Sequence, residues 1–174
     1  WYDDYSRHLY YATNSNSVDG SWDTELLAYA LVNRDEGEHF GGVLSTDLAI
    51  DSNNKVHATF HVLRSSMGDG FWHASGNLGS WDKIRIDSES GTGVDSAIAF
   101  DSNNGIHIVY SDTTNSDLKY TFYNESTMWS TSVIASEGNT GWSSSLALDV
   151  NDRIHVTYYD ADLDPVSYTH LRAH

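Results

Sequence analysis

The sequence predicts an all-β chain built of repeated four-stranded antiparallel units, and three observations carry that prediction. A phrase recurs: Leu48-Ala-Ile-Asp-Ser-Asn-Asn-Lys-Val-His57, Ile98-Ala-Phe-Asp-Ser-Asn-Asn-Gly-Ile-His107 and Leu146-Ala-Leu-Asp-Val-Asn-Asp-Arg-Ile-His155. Its aspartates, Asp51, Asp101 and Asp149, step by 50 and 48 residues, a spacing typical of repeat architectures. Trp81 and Trp129 each stand 20 residues before the aspartate of the next unit. Each unit also holds four short runs rich in Val, Ile, Thr and aromatic residues, mostly with the alternation of a half-buried strand. Four antiparallel strands in about 48 residues is one β-propeller blade. The predicted fold class is therefore a partial β-propeller of about three and a half blades, part of a larger propeller.

The elements follow in order. In the clearest unit the strands are Ser96–Asp101, Ile106–Ser111, Leu118–Tyr123 and Trp129–Ala135. Ser102-Asn-Asn-Gly105 joins the first two as a tight hairpin, because Asn and Gly tolerate positive φ. Tyr110-Ser-Asp112 is matched by Tyr158-Tyr-Asp160 and Trp1-Tyr-Asp3, and an aliphatic-x-aromatic pair follows: Leu9/Tyr11, Leu118/Tyr120, Val166/Tyr168. The second unit departs from the pattern, with Val62 in place of Asp and Phe71-Trp-His73 arriving three residues late. The first unit carries about nine extra residues before Asp51. Only Leu26–Val32 is ambiguous between helix and strand. The expected repeats are about 1–44 (partial), 45–92, 93–140 and 141–165 (partial).

Val166–His174 stands apart. It can be encoded as GTC TCT TAT ACA CAT CTC CGA GCC CAC, which resembles a translated transposon-type sequencing adapter. Residues 166–174 are therefore expected to be a non-native tail on an environmental gene fragment, with few apolar contacts. An open arc of blades leaves apolar faces uncovered, so self-association is also expected.

The chain carries 25 acidic and 9 basic residues, a formal net charge of −16. Like charge disfavours nucleic acid and anionic membrane surfaces. No run is apolar enough to insert as a spanning helix. There is no cysteine, hence no disulfide framework. Asn124-Glu-Ser126 matches a glycosylation sequon by pattern alone.

The repeated string Ala-Ile-Asp-Ser-Asn-Asn, with His six residues after the Asp, Tyr-x-Asp next and Leu-x-Tyr beyond, resembles sialidase-type propeller repeats of large secreted or surface-anchored proteins from marine archaea and bacteria. Leu9-Tyr-Tyr-Ala-Thr-Asn14 and Gly20-Ser-Trp22 fit it too. The resemblance spans nearly all of the chain up to Pro165. It implies an extracellular or cell-surface location with adhesion or glycan binding, and it implies no catalytic residues.

Several chemistries compete. The turns at Asp51, Asp101 and Asp149 cluster oxygen ligands that could take Ca²⁺, but they lack the register and distal Glu of a calcium loop, and an Asp in a tight turn bonds its own backbone. His57, His107 and His155 recur on blades spread about an axis, so they read as structural, each with one satisfied ring nitrogen. A sialidase-like hydrolase needs an arginine cluster and a Tyr nucleophile or paired carboxylates. The arginines share no repeat position, and no Asp-box of the Ser-x-Asp-x-Gly-x-x-Trp type is present.

Aromatic residues are numerous, with six Trp and eleven Tyr. Trp81, Trp129 and Trp22 recur and read as packing residues, whereas Trp142 sits in a Gly-Asn-Thr-Gly-Trp segment without a counterpart at Val94. Binding residues favour loops on a rigid scaffold. The longer polar connections Asn33–Gly42, Asp87–Asp95 and Ser136–Ser144 share a face with Asp112 and Asp160. The expected ligand-binding set is therefore Trp142, Asp112, Asp160, Asp95 and Asn139, taking a neutral glycan without a cofactor. The reading is a non-catalytic binding or scaffolding module. The alternatives are a sialidase-like glycoside hydrolase and a calcium-stabilised adhesin repeat.

Overall fold

The computed structural model describes residues 8–14, 21–29, 42–63, 68–162 and 168–170. Among them every regular element is a strand and none is a helix. β1 (His8–Thr13) pairs with β2 (Asp23–Tyr29), so the ambiguous Leu26 segment is strand as far as it is described. β3 (Gly42–Ile50), β4 (Val56–Leu63), β5 (Gly70–Asn77) and β6 (Ser80–Asp87) form a second sheet. β7 (Thr92–Phe100), β8 (Ile106–Asp112), β9 (Asp117–Asn124) and β10 (Met128–Ala135) form a third. β11 (Trp142–Leu148), β12 (Ile154–Tyr159) and β13 (Tyr168–His170) form a fourth. All pairs are antiparallel and follow chain order.

The first strand of each sheet packs on its predecessor: β7 lies against β3 and β4, and β11 against β7 and β8. The apolar core is divided accordingly, one cluster per junction. Leu27, Phe60 and Val62 fill the first; Phe71, Ile98, Ile108 and Tyr110 the second; Val109, Leu118 and Val156 the third. Sheets that bury their faces only against neighbours are the blades of a propeller arc. The chain is a partial β-propeller. The third sheet is covered on both faces, and every residue of β8 is buried.

The repeated phrase builds the first hairpin of the second, third and fourth sheets. Asp51 Oδ1 accepts the N–H groups of Asn53 and Lys55 at 2.9 and 2.8 Å; Asp101 and Asp149 do the same for Asn103/Gly105 and Asn151/Arg153. The residue three places on takes positive φ: Asn54 at 62°, Asn104 at 62° and Asp152 at 58°. Its side chain then ties adjacent sheets together. Ser52 N–H donates to Asn104 Oδ1 at 3.1 Å, and Ser102 N–H and Oγ–H donate to Asp152 at 2.9 and 2.6 Å.

A second repeated joint was not anticipated. β3, β7 and β11 each carry a β-bulge, and one residue of each bulge is left-handed: Ser45 (47°), Asp95 (51°) and Ser143 (49°). Asp95 N–H donates to Ser45 Oγ at 2.9 Å, Asp95 O accepts from Ser144 Oγ, and Asp95 Oδ2 accepts from Ser143 N–H at 3.3 Å. The bulge lets β7 begin at Thr92, four residues before the expected Ser96, which shortens the connection from Asp87–Asp95 to 88–91. Trp142 likewise opens β11 instead of lying in a loop. Gly93, at φ +89°, lies flat on Phe71, and a Cβ there would collide with the ring.

Part of the expected adapter tail is described. Tyr168–His170 pairs with β12 in the register of a third strand, with Tyr168 opposite Thr157 as Tyr120 is opposite Val109. The boundary expected at 165/166 and residues 171–174 lie outside the described residues, as does most of the Asn33–Gly42 connection.

Asp95→Ala is expected to lower stability by about 1–2 kcal/mol, because it removes a joint between sheets and leaves a residue with no left-handed preference at the bulge. Asp95→Asn should cost markedly less, since Asn keeps an acceptor and tolerates that conformation. Urea denaturation of the two variants checks both.

Candidate functional site

The expected residues do share one face, but several are already occupied. Asp112, at the end of β8, is 0 % exposed. Its Oδ1 accepts Thr114 and Asn115 N–H at 3.0 and 3.1 Å, and its Oδ2 meets Lys119 Nζ at 2.8 Å. Lys119 also reaches Glu89 at 2.9 Å and Asp87 at 3.2 Å. Burial alone would raise the Asp112 carboxyl, but bonds from Lys119 and Asn115 outweigh it and hold the group below the usual carboxylate range. Burial would likewise lower Lys119, and its three carboxylate partners raise it instead. Asp112 is thus a structural ion-pair partner that binds the third sheet to the end of the second, which corrects its assignment as a ligand residue. Asp95 is committed to the bulge joint.

Asn139 and Trp142 are brought together: Trp142 Nε1–H donates to Asn139 Oδ1 at 2.8 Å, and the half-buried indole lines no described cavity. Asp160, 3 % exposed, lies in the wall of a cavity of about 400 Å³ beside Glu137 and Tyr158.

The largest described cleft, about 660 Å³, opens on the other face, between the second and third sheets. No residue of the expected binding set lies on that face; the tight turns of the repeated phrase do. Those turns are its rim: 51–55 and 101–105 join first to second strands, and 124–128 joins β9 to β10. Tyr123 and Trp129 line one wall with ring centroids 5.0 Å apart and planes tilted by 39°. Met128, at φ 57° and exposed, sits beside them. Asp82, Asn103, Asn124 and Glu125 supply polar groups, with Lys55 and Lys83. Trp129 packs in part against the core of the second junction, as the repeat predicts and as Trp81 does at the first, and in part borders the cleft. The two differ in what surrounds them: Trp81 Nε1–H donates to Glu25 at 3.0 Å and its ring takes the edge of Tyr11, whereas Trp129 meets Tyr123 and His73 at the cleft. Trp22, the third of the set, is 65 % exposed and stands just before β2.

His57 and His73 line this cleft, and they and the repeated His107 are structural. His107 Nε2–H donates to Asp101 Oδ2 at 3.3 Å; a carboxylate only accepts, so Nδ1 of the neutral ring takes the Tyr120 hydroxyl proton at 2.7 Å. In the second sheet His73 stands in for that tyrosine, with His57 Nδ1 and His73 Nε2 2.9 Å apart. His57 Nε2 lies 3.8 Å from Asp51 Oδ2 and has no hydrogen bond. Burial lowers both rings, His73 to about 3, helped by the charge on His57. Among the described residues no group of three His, Asp or Glu side chains is arranged to hold a metal ion. Asp51 and Asp101 are held low by backbone hydrogen bonds that outweigh burial, and Asp149 by the Arg153 and Asn151 N–H groups.

Two outcomes follow. Lys119→Met leaves buried carboxylates uncompensated and should cost about 3–5 kcal/mol, with part recovered in Lys119→Met/Asp112→Asn, measured as a double-mutant cycle. His73 has a depressed folded pKa, so the unfolded chain takes up its proton first; the stability it contributes is full above pH 6.5 and is lost as pH falls toward about 3. Denaturation of His73→Gln between pH 7 and 4 should show a shallower decline, by up to about 1.4 kcal/mol per pH unit.

No protein-family model matches the chain, and no curated protein matches it. Among solved structures it is similar to a fucose lectin from Kordia zhangzhouensis in complex with methyl-fucoside, at 19 % identity and a TM-score of 0.46 over 68 % of this chain and 86 % of that one. At this similarity no residue of the lectin is carried over.

Proposed function

We propose that the chain is a non-catalytic carbohydrate-binding module of a secreted or surface protein, and that it takes a neutral glycan in the cleft between the second and third sheets. The observation that carries this is the Tyr123–Trp129 wall facing polar side chains across an open cleft of about 660 Å³. An aromatic face covers the apolar face of a sugar ring, and carboxylate and amide oxygens accept its hydroxyl protons. Lys55 and Lys83 roughly balance Asp51, Asp82 and Glu125 around the cleft, and the rest of the molecule is strongly acidic, which favours a neutral sugar over an anionic one.

The hydrolase alternative has less support. The two described arginines, Arg85 and Arg153, lie in different sheets, and neither lines the cleft. A sialidase-like clamp needs several arginines on one carboxylate. The sequence resemblance to surface-protein repeats supports the location.

Neutral oligosaccharides on a glycan array, followed by calorimetry, test the reading. Trp129→Ala should weaken binding at least about tenfold, and Asp82→Asn or Glu125→Gln about two- to fivefold without changing the melting temperature. Trp142→Ala should leave binding unchanged. Absence of any neutral-glycan binding, binding indifferent to Trp129, or turnover of a fluorogenic glycoside would sink it.

A further inference from the structure

The junction between the second and third sheets and the junction between the third and fourth are built alike, 48 residues apart. Thr113 N–H donates to Gly91 O at 3.0 Å, and Ala161 N–H donates to Asn139 O at 2.9 Å. Asp112 Oδ1 accepts Thr114 N–H at 3.0 Å, and Asp160 Oδ1 accepts Asp162 N–H at 3.0 Å. Glu89 and Glu137 occupy matching places in the connections 88–91 and 136–141. At the earlier junction an ammonium group sits between these acids, Lys119 Nζ at 2.8 Å from Asp112 and 2.9 Å from Glu89. At the later junction the sequence has Ser167 in the place of Lys119, and the corresponding acids, Asp160 and Glu137, line a cavity of about 400 Å³.

We propose that this cavity binds a primary ammonium group carried on a small, partly apolar ligand. Asp160 is 3 % exposed and faces the cavity with Oδ2 free of any hydrogen bond or ion pair, while Glu137 is exposed at its mouth and equally unpaired. Gly138, at φ +82°, leaves the carboxylate approachable: a Cβ there would come within 2.8 Å of Asp160 Oδ1. Asp160 Oδ2 is not sealed off but reached from the cavity, so a ligand N–H can make a charge-assisted bond to it there. Val133, Ile134 and the ring of Tyr158 line the remaining wall and suit the carbon skeleton that carries the amine. The chain's own Lys119 shows that the Asp112–Glu89 pair accepts an ammonium group, there with Asp87 as a third partner, whose place Ala135 takes at the later junction. The site is separate from the Trp129 cleft and takes a charged ligand, so it stands or falls independently of the neutral-glycan reading.

The experiment is a heteronuclear NMR titration of the whole chain at neutral pH and fixed ionic strength. The probes are n-butylammonium, glucosamine and N-acetylglucosamine. Saturable shifts around 136–141 and 158–162 are expected with at least one amine and none with the acetylated sugar, which has lost the charge. Response to glucosamine alone assigns the source to amino sugars; response to n-butylammonium alone assigns it to aliphatic amines. Glu137→Gln, an exposed change that should leave the melting temperature intact, should weaken binding about two- to fivefold. Asp160→Asn should weaken it about tenfold or more. Trp129→Ala should have no effect. The proposal is overturned if neither amine saturates, if N-acetylglucosamine binds as well as glucosamine, or if Glu137→Gln binds like the parent chain.

Discussion

Three successive sheets meet at Asp95, and the arc depends on that joint. Its N–H goes back to Ser45 in the second sheet, while its carbonyl and carboxylate go forward to Ser144 and Ser143 in the fourth. The geometry works because the residue is left-handed, which turns one main-chain unit out of the β7 ladder and toward its neighbours. A left-handed Asp is tolerated because its short polar side chain bonds locally, whereas a β-branched residue there would be strained. The bulge thus converts a strand, whose hydrogen bonds would otherwise be spent within its own sheet, into a connector between sheets. Ile98 N–H bonding to Asp47 Oδ2 at 2.9 Å reinforces the same seam one step further along.

Once the inner strands are joined, the remaining strands of adjacent sheets diverge, and the space between them must be filled by side chains. At the second junction Phe71, packed on Tyr110 at 4.5 Å and capped by Gly93, fills one end. The Tyr110 hydroxyl then donates to Asp87 Oδ2 at 3.1 Å, and Lys119 closes the face above. At the other end the rings of His57 and Phe100, and of His73 and Trp129, meet edge-on, and the space beside them stays open as the large cleft. Cleft and ion-pair cluster are therefore two ends of one junction, one sealed and one not.

How much of this was legible in the sequence follows from what is local. The period, the strand order and the capped hairpins are written in contiguous residues: Asp51, Asn54 and Lys55 bond each other within five positions, and they recur. The bulges were not read: Ser45, Asp95 and Ser143 stand six residues before the repeated Asp and each precedes a Thr or Ser, but Ser carries no left-handed preference that would mark the position. Asp112 was misread because its partner lies seven residues away on the next strand, and a Tyr-x-Asp phrase looks the same whether the acid is solvated or locked onto a lysine. Trp129 was read correctly as a packing residue, but its place at the cleft was not legible. His73 meets Trp129 edge-on as Tyr11 meets Trp81, but the Glu25 carboxylate that takes the Trp81 Nε1–H has Ile84 in its place beside Trp129.

That contrast bears on where function can arise in such a chain. A repeat places the same backbone at each junction, so the scaffold is paid for once and only departures from the repeat create something new. Lys119 seals one junction where its counterpart in sequence is Ser167. Trp129 borders a cleft where Trp81 is capped. Val150, 99 % exposed, replaces the serines that latch Ser52 and Ser102 to the following sheet, and it offers no hydroxyl at that place. At Val150 the backbone hydrogen bonds of the turn repeat and the side chain alone differs, whereas at Trp129 the tryptophan repeats and the carboxylate beside it does not. Chemistry in this fold is therefore to be sought at residues that break the period, held in place by residues that keep it.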